Sequence, residues 1–186
     1  MLVLASQSPR RQEILAAAGF EFIVRPPRIP EQRLPKEAPV AYVTRLAQAK
    51  AAAVDCASDE LILAADTVVV AGGQVLEKPC DAADAARMLQ LLAGRDHQVI
   101  TGICLRNNSR RVVDYSATTV SFSPMSDREI MSYVSSGEPL DKAGAYAIQG
   151  LASKFIQRIE GCYFNVVGLP ISLFYKHLLE FNQAAP

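Results

Sequence analysis

The sequence predicts an α/β fold built on a mixed β-sheet, and three observations carry that prediction. Short apolar runs with β character alternate with helical patterns in the order βαβ–α–ββ–α–ββ–α–β–α, which combines hairpins with crossovers and so mixes parallel with antiparallel pairing. Half of the 186 residues are hydrophobic, enough for a substantial core. No internal repeat, low-complexity segment or flexible linker interrupts the pattern, so residues 1–186 read as a single domain.

The elements follow in order. "LVLAS" is a short buried strand, after which Ser8 and Pro9 supply an N-cap and a first helical residue. Ile14, Leu15 and Ala18 give that helix an apolar face, and Gly19 ends it. "FEFIV" alternates as a strand, and residues 25–39 carry five prolines in fifteen positions, which fits a surface loop. "VAYVTRLAQAKAAAV" (40–54) is an Ala-rich helix, followed by a long apolar strand, a Gly-Gly turn and a short return strand through "LILAADTVVVAGGQVLEKP". Asp81 caps the next helix, which stops at Gly94. Two long β runs then meet at an Asn-Asn-Ser turn, Ser126 and Glu129 form a capping box, and the chain closes with "SKFIQRIEG", "FNVVGLP" and an amphipathic helix.

Composition excludes several classes of function. Lys plus Arg and Asp plus Glu each number 19, so no net basic field is available for nucleic acid or a membrane surface. The four cysteines (56, 80, 104 and 162) contain no CxxC pair, and His97 and His177 lie far apart, which argues against zinc. Both histidines and all four thiols read as structural, the thiols as ordinary buried side chains. With no basic segment leading into an apolar stretch at the N-terminus, the expectation is a reduced, cytoplasmic protein without a membrane span. P-loop, GxSxG, HExxH and GxGxxG patterns are all missing, so a phosphate site has to be built another way.

"LASQSPRRQEIL" offers such a site. A strand ending in Ser6, a tight turn and a helix start expose backbone N–H groups that favour anions. Arg10 and Arg11 oppose the helix dipole there, at about 0.3–1 kcal/mol each when exposed, a cost that a bound phosphate offsets. Equally, the two arginines fit a solvated first turn. Asp66 follows an apolar run and is costly to bury unless it pairs, binds metal or acts as a base; a turn-forming Asp fits the position as well. Glu31 and Glu77 are oxygen ligands of the kind that suit Mg²⁺ or Mn²⁺. A lysine on an Ala-rich helix, such as Lys50, ordinarily faces solvent, and Lys78 and Gln149 carry little weight singly.

Together, "LASQSPRRQEIL", "RLAQAKA", "AADTVVV", "LEKPCDAADAARMLQLLAGRDHQVITG", "EPLDKAGAYAIQG" and "VVGLP" resemble the Maf family of nucleotide pyrophosphatases, in the family's order and over nearly the whole chain. The resemblance implies a fold shared with inosine triphosphate pyrophosphatases: an elongated mixed sheet, flanking helices and a deep cleft between two lobes. It implies hydrolysis of a nucleoside triphosphate to the monophosphate and pyrophosphate with a divalent cation (Mg²⁺ or Mn²⁺), and a homodimer. By the same resemblance Asp66 matches the family's proton acceptor and a metal ligand, with Glu31 as a second metal ligand. Ser6, Arg10, Arg11, Lys50 and Lys78 match the phosphate contacts. Arg11, Thr67 and Gln149 match the specificity positions of the dTTP/UTP type; the 7-methyl-GTP type differs at these positions, with Glu in place of Gln149. A neutral amide suits a pyrimidine edge, whereas a carboxylate suits a cationic methylated guanine. Family members commonly carry two acids where this chain has Pro30 and Glu31, which bears on the metal set. The rival reading from another class is a nucleotide-binding regulator of cell division, which has no need of a base at Asp66.

Overall fold

In the computed structural model, which describes residues 1–183, seven strands form one mixed sheet in the order β2-β1-β3-β5-β6-β7, with β4 paired to β3. The strands are β1 (Leu2–Leu4), β2 (Phe22–Val24), β3 (Leu61–Ala71), β4 (Gln74–Leu76), β5 (Asp96–Arg106), β6 (Arg111–Phe122) and β7 (Ile156–Glu160). The helices are α1 (Pro9–Ala17), α2 (Pro39–Ala52), α3 (Ala82–Leu92), α4 (Asp127–Ser135), α5 (Tyr163–Val167) and α6 (Ile171–Gln183). β1 pairs parallel with both β2 and β3, whereas β3–β4 and β6–β7 are antiparallel. The expected mixed α/β architecture is therefore present. Among the described residues no helix is long and apolar enough to cross a membrane.

The chain divides into two compact units. The first comprises Met1–Asp66, Thr101–Ser116 and the segment from Gly168 onward. Its core includes Val3 and Ala5 of β1, Ala47 and Ala51 of α2, Ile62 and Ala64 of β3, and Cys104 of β5. Small residues let the α2 backbone approach the sheet closely. A Cβ placed on Gly102 would lie 2.6 Å from the Val43 carbonyl carbon, so only glycine fits that point of β5. Lys50 shares the buried face of α2, a placement that an Ala-rich pattern cannot indicate because alanine is compatible with every face of a helix.

The second unit comprises Thr67–Ile100 and Ala117–Val167. Leu76, Met88, Leu89, Val99, Val120, Phe122, Ile130 and Tyr146 are among its core residues. Both helix starts read from the sequence are seen. Asp81 accepts from the Asp84 N–H at 2.7 Å, and Ser126 and Glu129 form a full capping box on α4. The Gly72–Gly73 turn has positive φ at both positions, as a tight two-residue hairpin demands.

Several local expectations need correction. β2 covers only Phe22–Val24 and is largely exposed, so its alternation does not report a buried face. Ser8 sits at the N-cap of α1 but makes no side-chain cap; its own N–H donates to Ser6 Oγ at 3.2 Å instead. The five-residue helix α5 and the 3₁₀ turns at Glu138–Asp141, Ala143–Ala145 and Leu151–Phe155 are too short to leave a periodic signal. Of the thiols only Cys104 is buried, while Cys80 is exposed and Cys56 and Cys162 are intermediate.

His97, read from the sequence as structural, is buried. Its Nε2 lies 2.8 Å from the Tyr146 hydroxyl, and its ring meets Phe122 and Tyr146 edge-on. Nδ1 has no hydrogen-bond partner among the described residues, and burial lowers the imidazole pKa to about 4. The unfolded chain therefore binds a proton here that the folded chain refuses, so the stability present above the ordinary value of 6.5 drains away as pH falls towards 4. At most about 3 kcal/mol is at stake. Urea unfolding at pH 7.5, 6, 5 and 4 should show a steeper loss for wild type than for His97→Phe; parallel curves contradict this account.

Candidate active site

Two loops and three regular elements (α1, α2 and β3) of the first unit bring Ser6, Arg11, Glu31, Lys50 and Asp66 together. The first loop is the turn between β1 and α1. Arg11 is buried, its Nε donating 2.8 Å to the Gly168 carbonyl and its Nη1 donating 3.1 Å to Ser6 Oγ. Burial pulls the guanidinium down from its ordinary pKa, while the charges of Asp66 and Glu31 raise it and that of Arg10 lowers it. It remains a cation, because a guanidinium starts so far above neutrality. Arg10 is half-buried, so the two neighbouring arginines do take different environments around the first turn. A first helical turn with no acid and two arginines is biased strongly towards an anion.

Lys50 is the centre of the cluster. Its Nζ donates to Asp66 Oδ1 at 2.6 Å and lies 2.9 Å from Glu31 Oε2. Asp66 does not close its strand, as the sequence suggested; it sits within β3, with only 6% of its surface exposed. Burial raises its pKa, and the charge and hydrogen bond of Lys50, then the charge of Arg11, pull it back down. The net direction is upward, with burial the largest cause and the charge of Glu31 acting in the same direction. A carboxylate held this way is a better proton acceptor than an exposed aspartate, yet it keeps a partner for its charge.

Glu31 is exposed and belongs to the proline-rich loop, but that loop is anchored. The Tyr42 hydroxyl donates to the Glu31 carbonyl at 3.1 Å. Arg45 donates to both Glu37 carboxylate oxygens, at 2.6 and 2.8 Å, and to the Gln32 carbonyl at 3.0 Å. This fork holds the Glu37 carboxyl down at a pKa of about 2. Tyr42 and Arg45, both N-terminal to Lys50 on α2, thus fix the segment that carries Glu31. Sequence reasoning missed both; an arginine and a tyrosine near the start of a helix give no local sign of what they hold.

Thr67, Lys78 and Gln149 belong to the second unit. Thr67 follows Asp66 along β3 and is half-buried. Lys78 is exposed just after β4, where the neighbouring Glu77 carbonyl accepts from the Gly144 N–H at 3.1 Å. Gln149 is exposed on a turn between two 3₁₀ segments. His177 lies between Asp114 and Glu180 in the first unit.

A buried carboxylate facing a lysine, a second acid and an arginine-lined helix start is the arrangement expected of a phosphate-handling site. A model of the Maf-like protein family matches residues 1–181. The chain belongs to the Maf family. Curated Maf relatives include the dTTP/UTP pyrophosphatase of Koribacter versatilis, 49% identical over 94% of this chain and 91% of that protein. The dTTP/UTP pyrophosphatase of Anaeromyxobacter dehalogenans (strain 2CP-C) is 53% identical over 92% of this chain and 89% of its own. That of Escherichia coli O157:H7 is 50% identical over 97% and 93%. A solved nucleoside-triphosphatase / dITP/XTP pyrophosphatase from Mycobacterium abscessus overlaps with a TM-score of 0.41 at 14% identity, covering 67% of this chain and 74% of that one. So loose an overlap carries no argument.

The Lys50–Asp66 pair makes a quantitative prediction. Lys50→Met leaves a buried carboxylate uncompensated and should cost about 3–5 kcal/mol in denaturant unfolding at pH 8. Adding Asp66→Asn should restore most of that loss. A Lys50→Met protein as stable as wild type would show that the pair does not carry the charge of Asp66.

Proposed function

We propose that this chain is a nucleoside triphosphate pyrophosphatase that hydrolyses dTTP and UTP to the monophosphate and pyrophosphate, with residues 1–186 acting as one catalytic domain. The observation that carries the proposal is the convergence of Asp66 and Glu31 on Lys50, within 2.6 and 2.9 Å, in a chain about half identical to proteins bearing that name.

In this reading Asp66 takes the proton from a water as its oxygen forms a bond to the α-phosphorus. The bond from that phosphorus to the oxygen bridging it to the β-phosphate breaks, and pyrophosphate leaves. Arg11, with Ser6 bonded to it, is fixed before substrate arrives, so its charge meets the phosphates with little reorganisation. Arg10, Lys50 and Lys78 add positive charge for the triphosphate. Lys50 also keeps Asp66 ionised in a buried position until the proton is taken.

The donor set fits a divalent cation. Glu31 Oε2 and Asp66 Oδ1 lie 2.9 and 2.6 Å from the same Lys50 ammonium, so the two carboxylates are near enough to each other to ligate one cation beside it. Among the described residues no group of three or more His, Cys, Asp and Glu side chains is arranged to hold a metal. Two carboxylates, completed by water and substrate phosphate oxygens, are the ligands that Mg²⁺ or Mn²⁺ ordinarily takes in nucleotide sites. Glu31 and Asp66 would hold the ion, which when bound supplies charge neutralisation for the phosphate oxygens. Pro30 offers no oxygen ligand in its side chain, so this protein depends on Glu31 alone at that pair of positions.

The test is hydrolysis by the purified protein with Mg²⁺ or Mn²⁺ of dTTP, UTP, CTP, GTP and 7-methyl-GTP, scoring pyrophosphate separately from orthophosphate. Pyrophosphate should appear from dTTP and UTP, and Asp66→Asn should lower kcat by at least about 100-fold. Turnover of 7-methyl-GTP in preference to dTTP and UTP overturns the substrate; absence of turnover with every nucleotide overturns the reaction.

A further inference from the structure

The family resemblance makes Gln149 one of three specificity positions, with Arg11 and Thr67, for the base discrimination that the proposed function needs, yet an exposed amide on a turn discriminates poorly unless the turn is held. The second unit contains a device that holds it. Tyr133, on α4 and 4% exposed, donates its hydroxyl proton to Glu138 Oε1 at 2.7 Å. The same hydroxyl oxygen accepts from the Ala147 N–H at 3.2 Å. Glu138 in turn accepts from the Leu151 N–H with both carboxylate oxygens, at 3.1 Å each. One phenol–carboxylate pair therefore grips the chain at residue 147 and again at residue 151, with Gln149 midway between.

The grip is tight on its inner side as well. A Cβ at Gly150 would meet Glu138 Oε1 at 2.3 Å and Oε2 at 2.4 Å, so the carboxylate packs directly against the backbone next to Gln149. The Gly150 N–H closes the turn onto the Ala147 carbonyl at 3.1 Å. Glu138 is itself fixed: its N–H donates to Ser136 Oγ at 3.3 Å, and its carbonyl accepts from Lys142 Nζ at 3.2 Å. On the approach to the turn, Tyr146 is locked by edge-on contacts with His97 and Phe122.

We propose that Glu138, acting with Tyr133, is the positioning residue that sets Gln149 to select pyrimidine nucleoside triphosphates. The proposal rests on the dTTP/UTP pyrophosphatase function proposed for the chain. Its physical basis is that a neutral amide discriminates between bases by the placement of one donor and one acceptor, and such placement requires a rigid supporting layer. Glu138 supplies that layer, and Gly150 is glycine because the supporting carboxylate occupies the space of a side chain.

The experiment compares wild type with Glu138→Ala, Glu138→Gln and Tyr133→Phe, each also combined with Gln149→Ala. Two readouts are taken: kcat/KM for dTTP and UTP relative to GTP, scored as pyrophosphate, and amide hydrogen exchange across residues 147–151. Glu138→Ala should lower the preference for pyrimidines by about tenfold, chiefly through KM, and should speed exchange in that segment. Tyr133→Phe should do the same to a smaller extent, and Glu138→Gln, which keeps one acceptor oxygen, should fall between wild type and Glu138→Ala. In the Gln149→Ala background the Glu138 substitutions should change the preference by less than about twofold. A Glu138→Ala protein with wild-type preference, or one whose loss is the same with and without Gln149, overturns the proposal. If Glu138→Ala does not fold, Tyr133→Phe and Glu138→Gln decide by the same criteria. Wild type that turns over dTTP and UTP while the variants keep its preference sinks this proposal alone; wild type without that turnover sinks the function and this proposal with it.

Discussion

The Lys50–Asp66 ion pair is the interaction on which the proposed chemistry depends. A base that accepts a proton from water needs a raised affinity for protons, and burial within β3 supplies it. The same burial would drive the carboxyl to its neutral form if nothing opposed it. Lys50, one hydrogen bond away at 2.6 Å, opposes it. The net direction for Asp66 is upward, with burial the largest cause and Lys50 opposing it, and a shift of that sign is what a general base requires.

Much of the surrounding structure serves that pair. The small side chains Ala47 and Ala51 of α2, together with Gly102 of β5, let the helix settle against the sheet so that Lys50 meets Asp66. Tyr42 and Arg45 on the same helix hold the proline-rich loop and with it Glu31, so one helix positions the lysine and the second acid together. Arg11 takes its orientation from a backbone carbonyl and a serine hydroxyl, two neutral acceptors that fix the plane of the guanidinium. In the second unit the same economy appears in Tyr133 and Glu138, which hold the Gln149 turn by its two ends.

The regular elements were legible where the physics is local. The long apolar run of β3 with its Gly-Gly turn, the Asn-Asn-Ser hairpin and the Ser126–Glu129 capping box each depend on residues close in sequence. Placement was less legible. Alanine on every side of α2 concealed which face is buried, so Lys50 looked like a surface residue until β3 supplied its partner. Asp66 looked like a strand end because a charged residue inside an apolar strand is rare without a distant counter-ion. α5 and the 3₁₀ turns are too short to carry a pattern. The candidate site residues were readable only as a set, through the family resemblance, and residues that act by holding others, such as Tyr42, Arg45 and Glu138, left no sign beyond Gly150 following the turn.

The most direct test of this account is a carbon-13 NMR titration of the Asp66 side-chain carboxyl in wild type and in Lys50→Met. Wild-type Asp66 should titrate above the ordinary aspartate value of 3.8, and removing Lys50 should move it higher still. An Asp66 that titrates at or below 3.8, or whose titration is the same with and without Lys50, would contradict the claim that burial raises this carboxyl and the lysine restrains it.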